Sequence, residues 1–139
     1  MQNINEEYSS EEIARKIVDA AISKKALNPV IIDVRGKASY ADFIVICSGK
    51  NDRHVSAIAN AIDLEMAPIR TLVGNEGLAE GQWCLLDYGD VIAHVFYGPK
   101  RKNYDLETLW NDVPRLPFDI PEELRAEIEY DGDDYEELG

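Results

Sequence analysis

The sequence predicts an α/β domain, a mixed sheet of about five strands with flanking helices. Three observations carry that prediction: apolar residues at helical spacing open the chain, short apolar runs then alternate with a second helical stretch, and two further runs flank a tight-turn sequence. Ser9 followed by Glu12 forms a capping box, and Ile13, Ile17 and Ala21 with Ala14, Val18 and Ile22 recur at helical spacing, so a first helix runs to Lys24 and Lys25. After Asn28-Pro29, Val30 to Val34 reads as a strand and Asp42 to Cys47 as a second, linked by Arg35 to Ala41. Asp52 is placed to cap a second helix with the stripe Val55, Ile58, Ala59, Ile62 and Met66, broken near Pro68. A weaker strand is expected around Arg70 to Val73 and a loop from Gly74 to Gly81. Gln82 to Asp87 and Asp90 to Tyr97 flank Tyr88-Gly89 as a β-hairpin. Leu106, Leu109, Trp110 and Val113 space a third helix, stopped by Pro114 and Pro117. No internal repeat stands out.

Composition limits the function classes. At 139 residues, 45% of them hydrophobic, one core is affordable without metals or disulfides. The apolar run Phe43 to Cys47 falls far short of the roughly 20 residues of a membrane span, and Met1 to Tyr8 lacks the features of a secretory signal. A cytoplasmic protein with no membrane partner is expected. Cys47 and Cys84 lie in apolar segments, which suits buried reduced thiols. The net charge of −13 excludes whole-molecule attraction to nucleic acid or anionic lipid as the main binding force. Residues 119 to 139 hold ten acids and one base, Arg125. The expected organisation is therefore a folded domain over 1–118 and an acidic, largely disordered tail over 119–139, in which only Pro121 to Glu129 suits a helix.

Strand parity sharpens the hairpin. With a loop of two or four residues, odd positions of one strand oppose even positions of the other. Cys84 and Leu86 then share a face with Val91, Ala93 and Val95, small smooth side chains suited to packing beneath helices. Trp83, Leu85 and Asp87 share the other with Ile92, His94 and Phe96, and a tryptophan among polar groups is the composition of an interface centre.

Other motifs favour bland readings. Asp87 and Asp90 sit three apart astride a turn, not two apart on one strand face, so with His94 they make a poor metal or acid/base cluster. Ser48 to Asp52 opens a helix after a strand but lacks the glycine of a phosphate loop, since that position is Ile44. Arg53 and His54 gain nothing from the helix dipole, which leaves pairing with Asp33 or Asp42, or a partner, to account for them. Lys100-Arg101-Lys102 reads as a solvated loop, and no nucleophile triad stands out.

Taken together, DVRGKASYADFIVICSG (33–49), RHVSAIA (53–59), EG (76–77), WCLLDYGDVIAHVF (83–96) and R..YDLETLW (101–110) resemble the ribosomal silencing factor family, also called Iojap-related. The resemblance runs from about Ser10 to Trp110 and leaves the acidic extension after Leu116 unmatched. It implies a nucleotidyltransferase-like fold without catalytic acids, and a protein that binds the fourteenth protein of the large ribosomal subunit (uL14). Such binding sterically blocks joining of the large and small subunits and represses translation. It also implies a homodimer when free, no direct nucleic-acid specificity, no enzymatic activity, no catalytic residue, no cofactor and no metal. The partner-binding surface implied falls on Trp83, Leu85, Asp87, Tyr88, Asp90, His94, Phe96, Tyr104, Glu107 and Trp110. Two alternatives remain: a divergent Mg²⁺-dependent nucleotidyltransferase or phosphohydrolase using Asp87, Asp90 and His94, and an assembly factor for the large subunit.

Overall fold

The computed structural model describes residues 8–77, 82–122 and 124. Along the chain come α1 (Ser10–Ser23), β1 (Leu27–Asp33), β2 (Phe43–Gly49), α2 (Asp52–Met66), β3 (Gly74–Glu76), β4 (Trp83–Asp87), β5 (Val91–Tyr97), α3 (Gly98–Tyr104) and α4 (Leu106–Leu109). The strands form one mixed sheet in the order β1-β2-β5-β4-β3, with β2 and β5 parallel and the other neighbours antiparallel. The expected α/β class and five-stranded mixed sheet are what the chain builds.

Local chemistry explains most boundaries. Ser9 caps α1 through the reciprocal box with Glu12, its hydroxyl accepting from the Glu12 N–H at 3.1 Å while the carboxylate accepts from the Ser9 N–H at 2.8 Å. The cap of α2 is Asn51, not Asp52: its side-chain oxygen accepts from the His54 N–H at 2.8 Å, and Asp52 becomes the first helical residue, where its charge favours the positive helix end. β1 starts earlier than expected because Asn28, at φ 48°, forms an irregularity that lets Leu27 pair with Ser48 across Pro29.

Two cores hold the sheet. On one side α1 and α2 bury Ile13, Ile17, Ile58 and Ile62 against Phe43, Val45, Cys47, Cys84, Leu86, Ala93 and Val95. On the other side Ile32, Ile44, Ile46 and Phe96 pack with Trp110, Leu106 and Val113 from the segment after β5. Every residue of β2 is buried, as a strand covered on both faces requires. Both cysteines are buried, and neither is in a disulfide bond.

Several expectations need correction. Arg70 to Val73 is not a strand; the third strand is Gly74–Glu76, inside the stretch expected to be a loop. Its residues are poor strand formers, so the pairing with Leu85, Leu86 and Asp87 is dictated by the open edge of β4. The third helix divides into α3 and α4 at Asp105, whose left-handed backbone (φ 53°, ψ 48°) ends one and starts the other. Lys100-Arg101-Lys102 thus lies in a helix, with Arg101 buried, instead of in a solvated loop. Neither Arg53 nor His54 pairs with Asp33, whose carboxylate binds Arg35 in a two-point contact at 3.0 and 2.7 Å. Residues 78–81 of the expected loop, Met1 to Glu7, and the expected helix and tail beyond Leu124 lie outside the described residues. Phe118 still packs on the α1 side, and Leu124 is buried.

The outer edge of β1 is covered by the chain after α4: Asp33 N–H donates to Pro114 at 2.9 Å and Leu116 N–H to Ile31 at 2.9 Å. At the opposite end of the sheet, Gly77 combines φ +81° with a backbone so close to Trp83 that a Cβ would stand 1.9 Å from the Trp83 carbonyl oxygen. Gly36 has φ +82° with open space around it. Gly36→Ala is therefore expected to cost about 1 kcal/mol, the left-handed penalty alone, and Gly77→Ala at least twice that, measured by urea unfolding. Equal losses would mean that the close approach to Trp83 carries no weight.

Candidate functional site

Hairpin register sets the site. Trp83 faces Phe96, Leu85 faces His94 and Asp87 faces Ile92, while Cys84 and Leu86 face Val95 and Ala93 on the helical side. These are the two faces that strand parity assigns. On the first, Trp83, Leu85, Asp87 and Ile92 are half-buried, whereas His94 and Phe96 are buried. Leu85 joins neither core. An apolar strip of Trp83, Leu85 and Ile92 is thus left partly open beside the covered half of the sheet.

The tryptophan is held by its neighbours. Its indole Nε1–H donates to His94 Nδ1 at 3.0 Å, and its ring packs on Phe96 (centroids 5.1 Å apart, 21°) and on Tyr104 of α3 (4.3 Å, 42°). Because Nδ1 accepts, the neutral imidazole carries its proton on Nε2. Burial pushes the His94 pKa down to about 4, so the ring stays neutral near pH 7.

Not every residue implied by the resemblance joins this cluster. Tyr88 lies in the opposite, helix-side core and donates its hydroxyl to Asp63 of α2 at 3.0 Å. Asp90 turns toward the same side, where Arg70 Nη1 meets its carboxylate at 2.5 Å while the guanidinium also reaches the main-chain oxygens of Tyr88 and Tyr8. Asp87 stays at the edge of the strip, its carboxylate accepting from the Gly89 N–H at 2.9 Å in the turn. Trp110 is half-buried over the second core. Asp87, Asp90 and His94 each face a different partner, and among the described residues no group of three or more His, Cys, Asp or Glu is placed to hold a metal ion. No helix of the described residues is long and apolar enough to cross a membrane.

Glu107 accepts from Arg101, Nε to Oε1 at 3.1 Å and Nη2 to Oε2 at 2.6 Å, so its charge is already met inside the chain. The same guanidinium donates through Nη1 to Ser48 Oγ (3.0 Å) and to the Leu27 carbonyl (3.4 Å). One buried cation thereby ties α3 and α4 to β1 and β2 and sets Tyr104 against Trp83. Arg115 does the same for the following turn, donating to the main-chain oxygens of Trp110, Val113 and Glu107. Two residues of this region escape a reading of the sequence: Arg101, disguised by its flanking lysines, and Glu76, which the β3–β4 register places opposite Leu85 on the open face.

Comparison with known proteins gives a consistent result. The family model described as "Ribosomal silencing factor during starvation" matches residues 7–137, so the acidic segment that carries none of the quoted motifs still falls within the match. The chain is 35% identical over 115 residues to "Ribosomal silencing factor RsfS" of Halalkalibacterium halodurans, spanning 80% of this chain and 96% of that protein. It is 37% identical over 110 residues to the Bacillus subtilis protein of the same name, spanning 76% and 91%. A crystal structure of a Chromobacterium violaceum protein superposes with TM-score 0.73 at 28% identity, covering 82% of this chain and 95% of that one.

Two outcomes follow from the geometry. Unfolded, His94 takes up a proton near its ordinary value of 6.5; folded, it does so only near pH 4. The stability supplied by the neutral ring is complete above pH 6.5 and is lost as pH falls toward 4, on the order of 3 kcal/mol in total. Between pH 7 and 5.5 the parent is expected to lose about 1 kcal/mol more than His94→Asn in urea unfolding; parallel losses would contradict a buried neutral ring. Glu107→Gln, which leaves the Arg101 charge buried without its counter-ion, is expected to cost about 2 kcal/mol in the same measurement.

Proposed function

The chain belongs to the ribosomal silencing factor family, and from that premise we propose that it docks through the Trp83 face on the fourteenth protein of the large ribosomal subunit and so keeps the small subunit from joining. The observation that carries this reading is the open strip of Trp83, Leu85 and Ile92 on a sheet face that the chain's own helices leave partly uncovered. A half-buried tryptophan fixed among other rings, next to a leucine outside both cores, has the makeup of an interface centre. Asp87 and Glu76 stand beside this strip on β4 and β3, where they suit the lysines and arginines of a basic ribosomal protein. The mechanism needs no bond-making step: occupying an exposed surface of the large subunit excludes the small subunit by mass action.

Cosedimentation with isolated large subunits, paired with a subunit-joining assay, tests the reading. Trp83→Ala is expected to weaken binding about thirty-fold, corresponding to about 2 kcal/mol, and to restore joining in proportion. Leu85→Lys, which puts a charge into the strip, is expected to do at least as much. Both variants must keep the parent's unfolding midpoint within a few degrees. If folded variants bind like the parent, the docking face lies elsewhere.

A further inference from the structure

Half of the cations in this acidic chain gather at one end of the sheet. Leu27 pairs with Ser48, and Gly49 with Tyr97, so the end of α1, the start of α2 and the whole of α3 meet there. His54 links the first two: Nδ1 accepts from the Lys50 N–H at 2.9 Å, which leaves the Nε2 proton for the Lys24 carbonyl at 2.8 Å. Arg101 adds α3 through Leu27 and Ser48. Lys24, Lys25, Lys50, Arg53, Lys100 and Lys102 are thereby brought to one region, against two acids of the same segments, Asp52 and Asp105.

Elsewhere, the described cations are engaged within the chain. Arg15, Arg35, Lys37 and Arg70 each pair with a carboxylate, Lys16 lies over the Tyr8 ring and Arg115 binds carbonyls. Lys24, Lys25 and Arg53 are exposed and Lys100 half-exposed, and none of the four has an ion pair or side-chain hydrogen bond among the described residues. Like charges held together without counter-ions repel one another, a cost that a bound polyanion removes. The net charge of −13 does not prevent this, because exposed charges more than about 8 Å apart are largely screened at physiological salt.

We infer that this end is a contact surface for the phosphate backbone of ribosomal RNA. The inference rests on the docking reading above and says what lies beside the protein partner. Arg101 joins the two surfaces, since the helix that bears Lys100 and Lys102 also places Tyr104 on Trp83. A basic ribosomal protein would be repelled by these cations and attracted by Asp87 and Glu76, whereas RNA would show the opposite preference. The two ends of the surface are thus sorted by charge, and the contact with RNA is to its backbone, without base selection.

The test combines Lys24→Gln, Lys25→Gln, Arg53→Gln and Lys100→Gln in one chain, none of them part of the aromatic face. Affinity for isolated large subunits is measured by cosedimentation from 50 to 200 mM KCl, alongside affinity for the purified fourteenth ribosomal protein. For each phosphate that the variant ceases to neutralise, the plot of log K against log salt should flatten by about 0.7 to 0.9. Subunit binding should fall at least tenfold at 50 mM and approach the parent's at 200 mM, with affinity for the isolated protein unchanged. A parent-like slope would overturn the inference, as would an equal loss toward the isolated protein, which would mean that the basic end touches protein. If the parent itself fails to bind large subunits, the docking reading falls first, and this inference with it.

Discussion

Cross-strand register in the β4–β5 hairpin is the constraint on which the rest of the molecule depends. Trp83 faces Phe96 and Cys84 faces Val95. A slip of one residue would exchange the faces, sending Trp83 and Asp87 under α1 and α2 and bringing Cys84 and Leu86 into solvent. That exchange is opposed from both sides. The helical core is built on the small side chains Cys84, Ala93 and Val95, which leave no room for an indole, and the other face holds Trp83 through His94 and Phe96. The open strip at Trp83 is therefore a direct product of the same packing that stabilises the sheet.

Features with local causes were legible in the sequence. The Ser9–Glu12 box, the stripe from Val55 to Met66 and the alternation along the hairpin each depend on spacing alone. Features that depend on distant residues were not. Gly74 to Glu76 becomes a strand only because β4 offers an unpaired edge. Arg101 was concealed in a basic run, since nothing local shows that the middle cation turns inward to Ser48 and Glu107 while its neighbours remain outside. The family resemblance assigns Tyr88 and Asp90 to the same surface as Asp87, but the turn directs them toward Asp63 and Arg70.

Inward-facing carboxylates change the electrostatic reading of the surface. Glu107 and Asp90 are met by buried or half-buried guanidinium groups, so neither presents an unpaired charge to a partner. Their contribution is positional: Glu107 holds α4 against α3, and Asp90 holds the hairpin turn against the chain leaving α2. Partly buried ion pairs of this kind add little net stability compared with apolar packing, but an arrangement that separates the buried Arg101 guanidinium from Glu107 leaves a desolvated charge unmet and is penalised. In a chain whose sheet face is covered by short helices, that penalty supplies the rigidity that helix length does not.

Rigidity at Trp83 bears directly on affinity. An exposed tryptophan on a free strand must lose side-chain entropy on binding, typically about 0.5–1.5 kcal/mol for an immobilised side chain. Here the indole is already fixed by a hydrogen bond to His94 and by rings on two sides, with Tyr104 itself anchored through Arg101 to β1 and β2. Most of that ordering has taken place during folding. The aromatic cluster therefore links fold and function physically: the neutral imidazole and the guanidinium clamp act on the partner only through the pose they impose on one indole.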